Sequence, residues 1–303
     1  MINGIINVYK EQGYTSFDVV AKLRGILKQK KIGHTGTLDP MAEGVLMVCL
    51  GKATKLVDML TSGDKEYGTV MQLGINTDTE DITGTITKQA EIPEKLSEDD
   101  IISAVSSYVG KYNQIPPMYS AIKKDGKKLY EYARSGIEVE RTPRQVEIFS
   151  IDNICVDMPF VSFDVHCSKG TYIRSLCRDI GDKLGCGATM TALTRNNVNE
   201  YKLQDSLKLS QIEELVKANE LDKYILPVDA LLSKYHKYTV KKEANKYLYN
   251  GNLLYFNQLI PSDVEFDIKN EEMIRVYDGD ECMALYSYSA KDKAFKPYKM
   301  FLG

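Results

Sequence analysis

Residues 32–46 read IGHTGTLDPMAEGVL and run on into MVCL, residues 47–50. The apolar stretch VLMVCL, residues 45–50, has the pattern of a buried strand. Ahead of it, Gly33 and Gly36 flank His34 and Thr35, and Asp39 precedes Pro40. The glycines let the backbone turn sharply and leave little side chain in the way of a ligand. The proline biases Asp39 towards an extended backbone. These features put a carboxylate on a loop anchored to a rigid core strand, a placement that often carries chemistry. By local chemistry alone Asp39 also reads as a turn residue that bonds its own backbone.

Working outward, residues 2–8 (INGIINV) read as a short strand closed by Lys10 and Gly13. Ser16 or Thr15 can cap the next helix, with Asp18 favoured by the dipole in its first turn. Phe17, Val20, Leu23 and Leu27 give that helix an apolar spacing, and lysines 28, 30 and 31 end it. Beyond the central strand, residues 53–60 suggest a short helix. KEYGTVMQLG, residues 65–74, reads as a strand with Tyr67, Thr69, Met71 and Leu73 on one face. TDTEDITG, residues 77–84, lacks the twelve-residue calcium pattern and reads as a polar hairpin turn.

Ser97 and Asp100 open a helix that ends at Gly110, with Ile101, Val105 and Tyr108 as its stripe. Residues 144–157 and 161–168 form a strand pair around Met158-Pro159, with His166 on the polar face of the second strand. The following helix buries Ile173, Leu176, Cys177, Ile180 and Leu184, while Tyr172 and Arg174 lie off that stripe. Ser210 and Glu213 have the spacing of a capping box.

The chain has 303 residues, 43% hydrophobic and 27% charged, enough for two ordinary domains. No apolar run approaches a membrane span, and MINGIINVYK lacks the pattern of a signal peptide. Cysteines 49, 155, 167, 177, 186 and 282 form no CxxC pair, so reduced core thiols in a cytoplasmic protein are expected, with no metal. The net charge of −3 argues against a uniformly basic nucleic-acid binder. Locally, however, KKDGKK at 123–128 carries Lys123, Lys124, Lys127 and Lys128, and Arg134, Arg141 and Arg144 follow. That stretch reads as a polyanion-binding patch or as a solvated lysine-rich loop.

The string GHTGTLDPMAEGVL closely resembles the catalytic motif of the TruB-type tRNA pseudouridine-55 synthases. CSKGTYIRSL, residues 167–176, resembles a second motif of that family, and GATMTALTR, residues 187–195, a third, although NNVNEY departs from the small-residue continuation expected there. DKEYGTVMQLG resembles the segment that supplies an active-site tyrosine. The resemblance implies that Asp39 is the catalytic carboxylate, that Tyr67 stacks on the target base and that Tyr172 and Arg174 line the site. Leu193 would pack on the base, Arg195 would take the place of the following arginine, and His34 would replace or contact flipped bases.

The resemblance also implies an α+β pseudouridine-synthase fold: a mixed, mostly antiparallel sheet flanked by helices, with a small C-terminal PUA-like β domain. The expected division is a catalytic domain over residues 1–232, with an RNA-binding insertion at about 118–144, and a PUA-like domain over 233–303. The insertion would fold over the T-arm stem-loop of tRNA. No cofactor, membrane or obligate protein partner is implied, and a monomer is expected.

Such a reaction breaks the bond between ribose and N1 of uracil, turns the base and rejoins it through C5, after flipping the nucleotide out. Arg174 paired with Asp39 would hold the carboxyl ionised in a dry pocket. Attack of Asp39 on the sugar, attack on the base and promotion of a glycal all stay open. Two rival classes are a binding-only RNA protein or RNA chaperone, and a hydrolase with an Asp nucleophile. The first leaves Asp39, Tyr67 and Arg174 without a purpose. The second usually needs a partner carboxylate, and none is apparent for Asp39.

Overall fold

The structure is a computed structural model that describes residues 1–262 and 268–302. The chain opens with β1 (Gly4–Lys10), α1 (Ser16–Ile26), β2 (Ile32–Thr35) and β3 (Glu43–Leu50). Then come α2 (Val57–Leu60), β4 (Lys65–Leu73), β5 (Ile75–Thr77), β6 (Ile86–Gln89), α3 (Glu98–Ser106) and β7 (Gly110–Gln114). A small hairpin, β8 (Lys123–Lys124) and β9 (Lys127–Lys128), precedes α4 (Leu129–Arg134). After it follow β10 (Arg144–Asp157), β11 (Phe160–Cys167), α5 (Ile173–Lys183), β12 (Ala188–Val198), β13 (Tyr201–Lys202), α6 (Leu209–Lys217) and α7 (Val228–Leu231). The tail holds β14 (His236–Val240), α8 (Asn245–Tyr249), β15 (Leu259–Pro261), β16 (Met273–Asp278), β17 (Glu281–Ser289) and β18 (Ala294–Met300).

Nine of these strands form one sheet, in the order β1-β3-β12-β4-β11-β10-β7, with β2 on β3 and β13 on β12. Every pairing is antiparallel except β12 with β3. That parallel contact sets Arg195 opposite Gly44. A Cβ on Gly44 would lie 2.3 Å from the Arg195 carbonyl oxygen, and its φ is +105°, so only glycine fits this approach. The tail forms a separate five-stranded sheet in the order β15-β14-β16-β17-β18.

Alternation decides what each strand buries. In β4 Tyr67, Thr69, Met71 and Leu73 all face inward, as the sequence pattern predicts. They join Val161, Phe163 and Val165 of β11 and Leu176, Cys177 and Ile180 of α5 in one core. A second core joins α1 and α6 to β1 and β3 through Val20, Leu23, Val48 and Ile212. A third, with Tyr238, Leu248, Val276 and Phe295, belongs to the tail sheet.

Thr15 is the N-cap of α1, and Asp18 completes a capping box, worth about 1 kcal/mol. Three local expectations shift. Phe17 is 64% exposed, and the helix buries Ser16, Val19, Val20 and Leu23 instead. Gly33 lies within β2 without a positive φ, so Gly36 alone makes the turn. At α6 the N-cap is Lys208, whose backbone N–H donates to Gln211 Oε1, two residues ahead of the expected Ser210 box.

Candidate active site

The Asp39 loop is held at both ends and in the middle. Ser16 Oγ accepts from the Leu38 N–H at 2.9 Å and donates back to the Leu38 carbonyl at 3.3 Å. The Pro40 carbonyl accepts from Gly13 N, and the Asp39 carbonyl accepts from Ala42 N, closing a turn. Asp39 is thus a turn residue through its backbone, which leaves its carboxylate free for other partners.

That carboxylate meets Arg174 two-pronged. Arg174 Nε lies 3.0 Å from Asp39 Oδ2, and Nη2 donates to Oδ1 at 3.2 Å. The remaining guanidinium hydrogens go to the Thr79 and Tyr119 carbonyls at 2.8 and 2.9 Å and to Asp81 Oδ2 at 3.5 Å. A planar fork with five fixed donors suits this arrangement, and a single point charge does not. Arg174 is only 4% exposed although it lies off the apolar stripe of α5, because oxygens surround it.

Burial pushes the Asp39 carboxyl above its ordinary value; Arg174 pulls it down, Asp81 adds to the rise, and Lys10 opposes it. Arg174 does pull the carboxyl down, as expected, but desolvation outweighs that pull and the net direction is upward. Asp39 keeps a third of its side chain exposed.

Tyr67, Leu193 and Leu38 share the apolar cluster beside this pair, and Tyr67 stands opposite Arg195 in the sheet. Burial raises the Tyr67 phenol, and Arg195 pulls the other way. Tyr172 caps α5, and Gln114 fixes it by accepting from its N–H at 2.8 Å and donating to its carbonyl at 3.0 Å. Its phenol is raised by burial and feels the charges of Arg174 and Asp39. Asp39, Tyr67, Tyr172, Arg174 and Leu193 therefore converge on one site.

His34 does not stand exposed between glycines. It is half-buried in β2, paired with Val48, and burial lowers its pKa, with Arg195 adding to the effect. A neutral imidazole suits base stacking better than phosphate pairing. With Phe17, Arg24, Lys30 and Lys31 it lines a recess of about 580 Å³ whose lining does not include Asp39. The four lysines sit on the β8–β9 hairpin, with Lys123 opposite Lys128 and Lys124 opposite Lys127. Like charges facing each other across strands repel. Lys128 lies over the Tyr130 ring and Lys127 over Tyr132.

Sequence reading missed three charged residues of the site, Lys10, Glu80 and Asp81, and reached a fourth, Arg195, only through the resemblance. Lys10 is fully buried, donates to the Pro40 and Ala42 carbonyls, and is lowered to about 8 by burial. Arg195, taken only from the third motif, is 1% exposed and donates to the Val45 and Gly36 carbonyls. Glu80 and Asp81 do lie between the strands of the β5–β6 hairpin, as a turn should, but both are buried against arginines. A carboxylate run in a turn looks solvated until the distant arginines are placed. Of the six cysteines, Cys155 is exposed and Cys282 half-buried, so only four are core thiols.

This sheet and the family matches it carries define the class as the pseudouridine synthases. A family model described as the TruB family pseudouridylate synthase N-terminal domain matches residues 24–173. One described as the tRNA pseudouridylate synthase B C-terminal domain matches residues 174–233. The chain belongs to the TruB family. It is 51% identical over 310 aligned residues to tRNA pseudouridine synthase B of Lachnoclostridium phytofermentans, covering 99% of this chain and 100% of that one. Identity to the same-named protein of Clostridium perfringens strain 13 is 43%, covering 99% of each. Among solved structures, a chain of a Cbf5-Nop10-Gar1 complex matches with a TM-score of 0.70 and 28% identity, over 99% of this chain and 85% of that one.

Proposed function

We propose that this protein converts uridine 55, in the T-arm loop of tRNA, to pseudouridine. The observation that carries the reading is the two-pronged Asp39–Arg174 pair, with Tyr67 and Leu193 in the apolar cluster beside it and Tyr172 within reach of both charges. The flipped uridine would dock here, with Asp39 beside its C1′ and base. The N1–C1′ bond breaks, the detached uracil turns while Tyr67 and Leu193 confine it, and C5 bonds to C1′. N1 ends protonated and C5 loses its proton, so atoms and electrons balance without an added reagent. Arg174 keeps the carboxylate oriented and supports its charge as water leaves.

RNA would bind across the lysine hairpin and the tail. Four lysines facing one another across β8 and β9 repel unless a polyanion arrives. The tail presents Tyr247 and Tyr249 on α8, Tyr255 ahead of β15 and Tyr298 on β18 as exposed rings, surfaces suited to sugar and base contact. We assign residues 1–232 to the catalytic unit and 233–303 to a PUA-like RNA-binding unit. The protein would act in the cytoplasm as a monomer, without a protein partner; no helix among the described residues is long and apolar enough to cross a membrane. A binding-only role gives no reason to seat a carboxylate against a buried arginine.

The test is conversion of an unmodified tRNA transcript by purified protein in EDTA, read by carbodiimide and primer extension. One new stop in the T-arm loop is expected. Asp39→Asn should abolish it while leaving RNA affinity within a few-fold, because phosphate contacts supply most of the binding. Near-normal turnover by Asp39→Asn would refute the assignment.

A further inference from the structure

The insertion between β7 and β10 is tied to α5 by two arginines and closed on itself by a third, and the three share one neighbourhood. Arg178 Nη2 donates to the Ile115 carbonyl at 3.0 Å, Arg141 Nη1 to the Pro116 carbonyl at 3.1 Å, and Arg174 Nη2 to the Tyr119 carbonyl at 2.9 Å. The first and third arginines come from α5, and Arg141 comes from the far end of the insertion itself. Between them stands Glu80. Its carboxylate accepts from Ser175 Oγ at 2.6 Å and from Arg178 Nη1, and lies 3.8 Å from Arg141 Nη1.

Glu80 is also the strained residue of its loop. Its φ is +64°, a left-handed conformation that costs a non-glycine residue free energy unless its surroundings enforce it. They do: Glu80 N donates to the Thr77 carbonyl, and the Glu80 carbonyl accepts from Met190 N of β12. Its two chain neighbours, Thr79 and Asp81, are the residues that hold Arg174 Nη1. Beside the returning segment, Ile115, Glu138, Val139, Glu140 and Arg141 line a recess of about 390 Å³. Glu138 and Glu140 are exposed and Val139 is half-buried, so polar contacts attach that segment: Arg141 to the Pro116 carbonyl and near Glu80, and Lys124 to the Glu140 carbonyl.

We propose that Glu80 is a positioning residue that, through Arg141 and Arg178, couples the seat of the lysine-bearing insertion to the Asp39–Arg174 pair. With the insertion seated, the 79–81 loop and α5 are set together, and the Arg174 fork is held on Asp39. This rests on the functional reading above, since it concerns the same reaction.

The experiment compares wild type with Arg141→Gln, Arg141→Lys and Glu80→Gln on one tRNA transcript. It measures the single-turnover rate at saturating RNA, the dissociation constant and the melting temperature. Arg141 is partly exposed, so its variants should fold even where Glu80→Gln, which removes the charge facing Arg178 and Arg141, does not. Arg141→Gln is expected to lower the saturated rate on the order of tenfold or more, as small misplacements of reacting groups do. Arg141→Lys should recover part of it, and Arg141→Gln combined with Glu80→Gln should be no slower than the slower single variant. A wild-type saturated rate in Arg141→Gln would overturn the coupling, whether or not affinity or melting temperature falls. If the wild-type protein itself converts no uridine, the functional reading fails instead, and the two failures are distinguishable.

Discussion

Arg174 grips Asp39 with two separate nitrogens, Nε at 3.0 Å and Nη2 at 3.2 Å, from 135 residues further along the chain. The same guanidinium also bonds two backbone carbonyls, so its orientation is fixed before any substrate arrives. Substrate binding then meets a carboxylate already aligned, and little reorganisation is left for the reaction itself.

Arg174→Met keeps the apolar stem and removes the fork. Leaving this half-buried anion without its partner destabilises or neutralises it, and either outcome harms the chemistry. The saturated single-turnover rate should fall by orders of magnitude with little change in RNA affinity. Arg174→Lys should restore only part, since a point charge cannot bond Asp39 and both carbonyls together. Weakened binding with a normal saturated rate would make Arg174 an RNA contact.

Asp39 should impose an acid limit on turnover above the ordinary carboxylate range, because burial raises it. If the anion is the working form, the single-turnover rate drops as pH falls through the raised value. The stability sign is opposite: the folded chain holds this proton more tightly than the unfolded chain. Its favourable contribution is full below the ordinary carboxylate pKa and is lost as pH rises through the raised one. Arg174→Met removes the largest opposing pull, so the acid limb of its residual rate should move further up. A limb at or below that of an exposed aspartate would contradict the ordering.

The four hairpin lysines should not contribute equally to RNA binding. Lys123 and Lys127 are exposed, whereas Lys124 donates to the Glu140 carbonyl at 2.6 Å. Removing one lysine–phosphate pairing lowers the slope of log affinity against log salt by about 1. Lys123→Gln and Lys127→Gln should each flatten the slope, and Lys124→Gln should flatten it less. A slope unchanged in all of them would make the hairpin a solvated face.

Ser16→Ala tests whether the loop needs its pin. It leaves the buried Leu38 N–H without a partner, at a cost of about 1–3 kcal/mol. Denaturant unfolding should show that destabilisation, and the saturated rate should fall with it because Asp39 is the next residue. Unchanged stability would mean that water or a rearranged backbone replaces the hydroxyl.

Much of this arrangement is legible in residue order alone. The run at 45–50 dictates a buried strand because six successive apolar side chains need cover on both faces. Alternation in residues 65–73 dictates which side of β4 faces the core, and Thr15 with Asp18 dictates where α1 begins. The motif around Asp39 dictates the family, and the match of relatives along the whole chain agrees with it.

What residue order could not decide is how charged side chains end up inside. Apolar periodicity records which face is buried, but a charge is buried only when partners from other elements surround it. Lys10, Glu80 and Asp81 read as strand-end or turn residues in their own segments, and all are buried once β1, the β5–β6 hairpin, α5 and β12 meet. The net upward displacement of Asp39 has the same origin. Sequence supplies the arginine that pulls its proton affinity down, and only the closed fold supplies the larger desolvation that pushes it up.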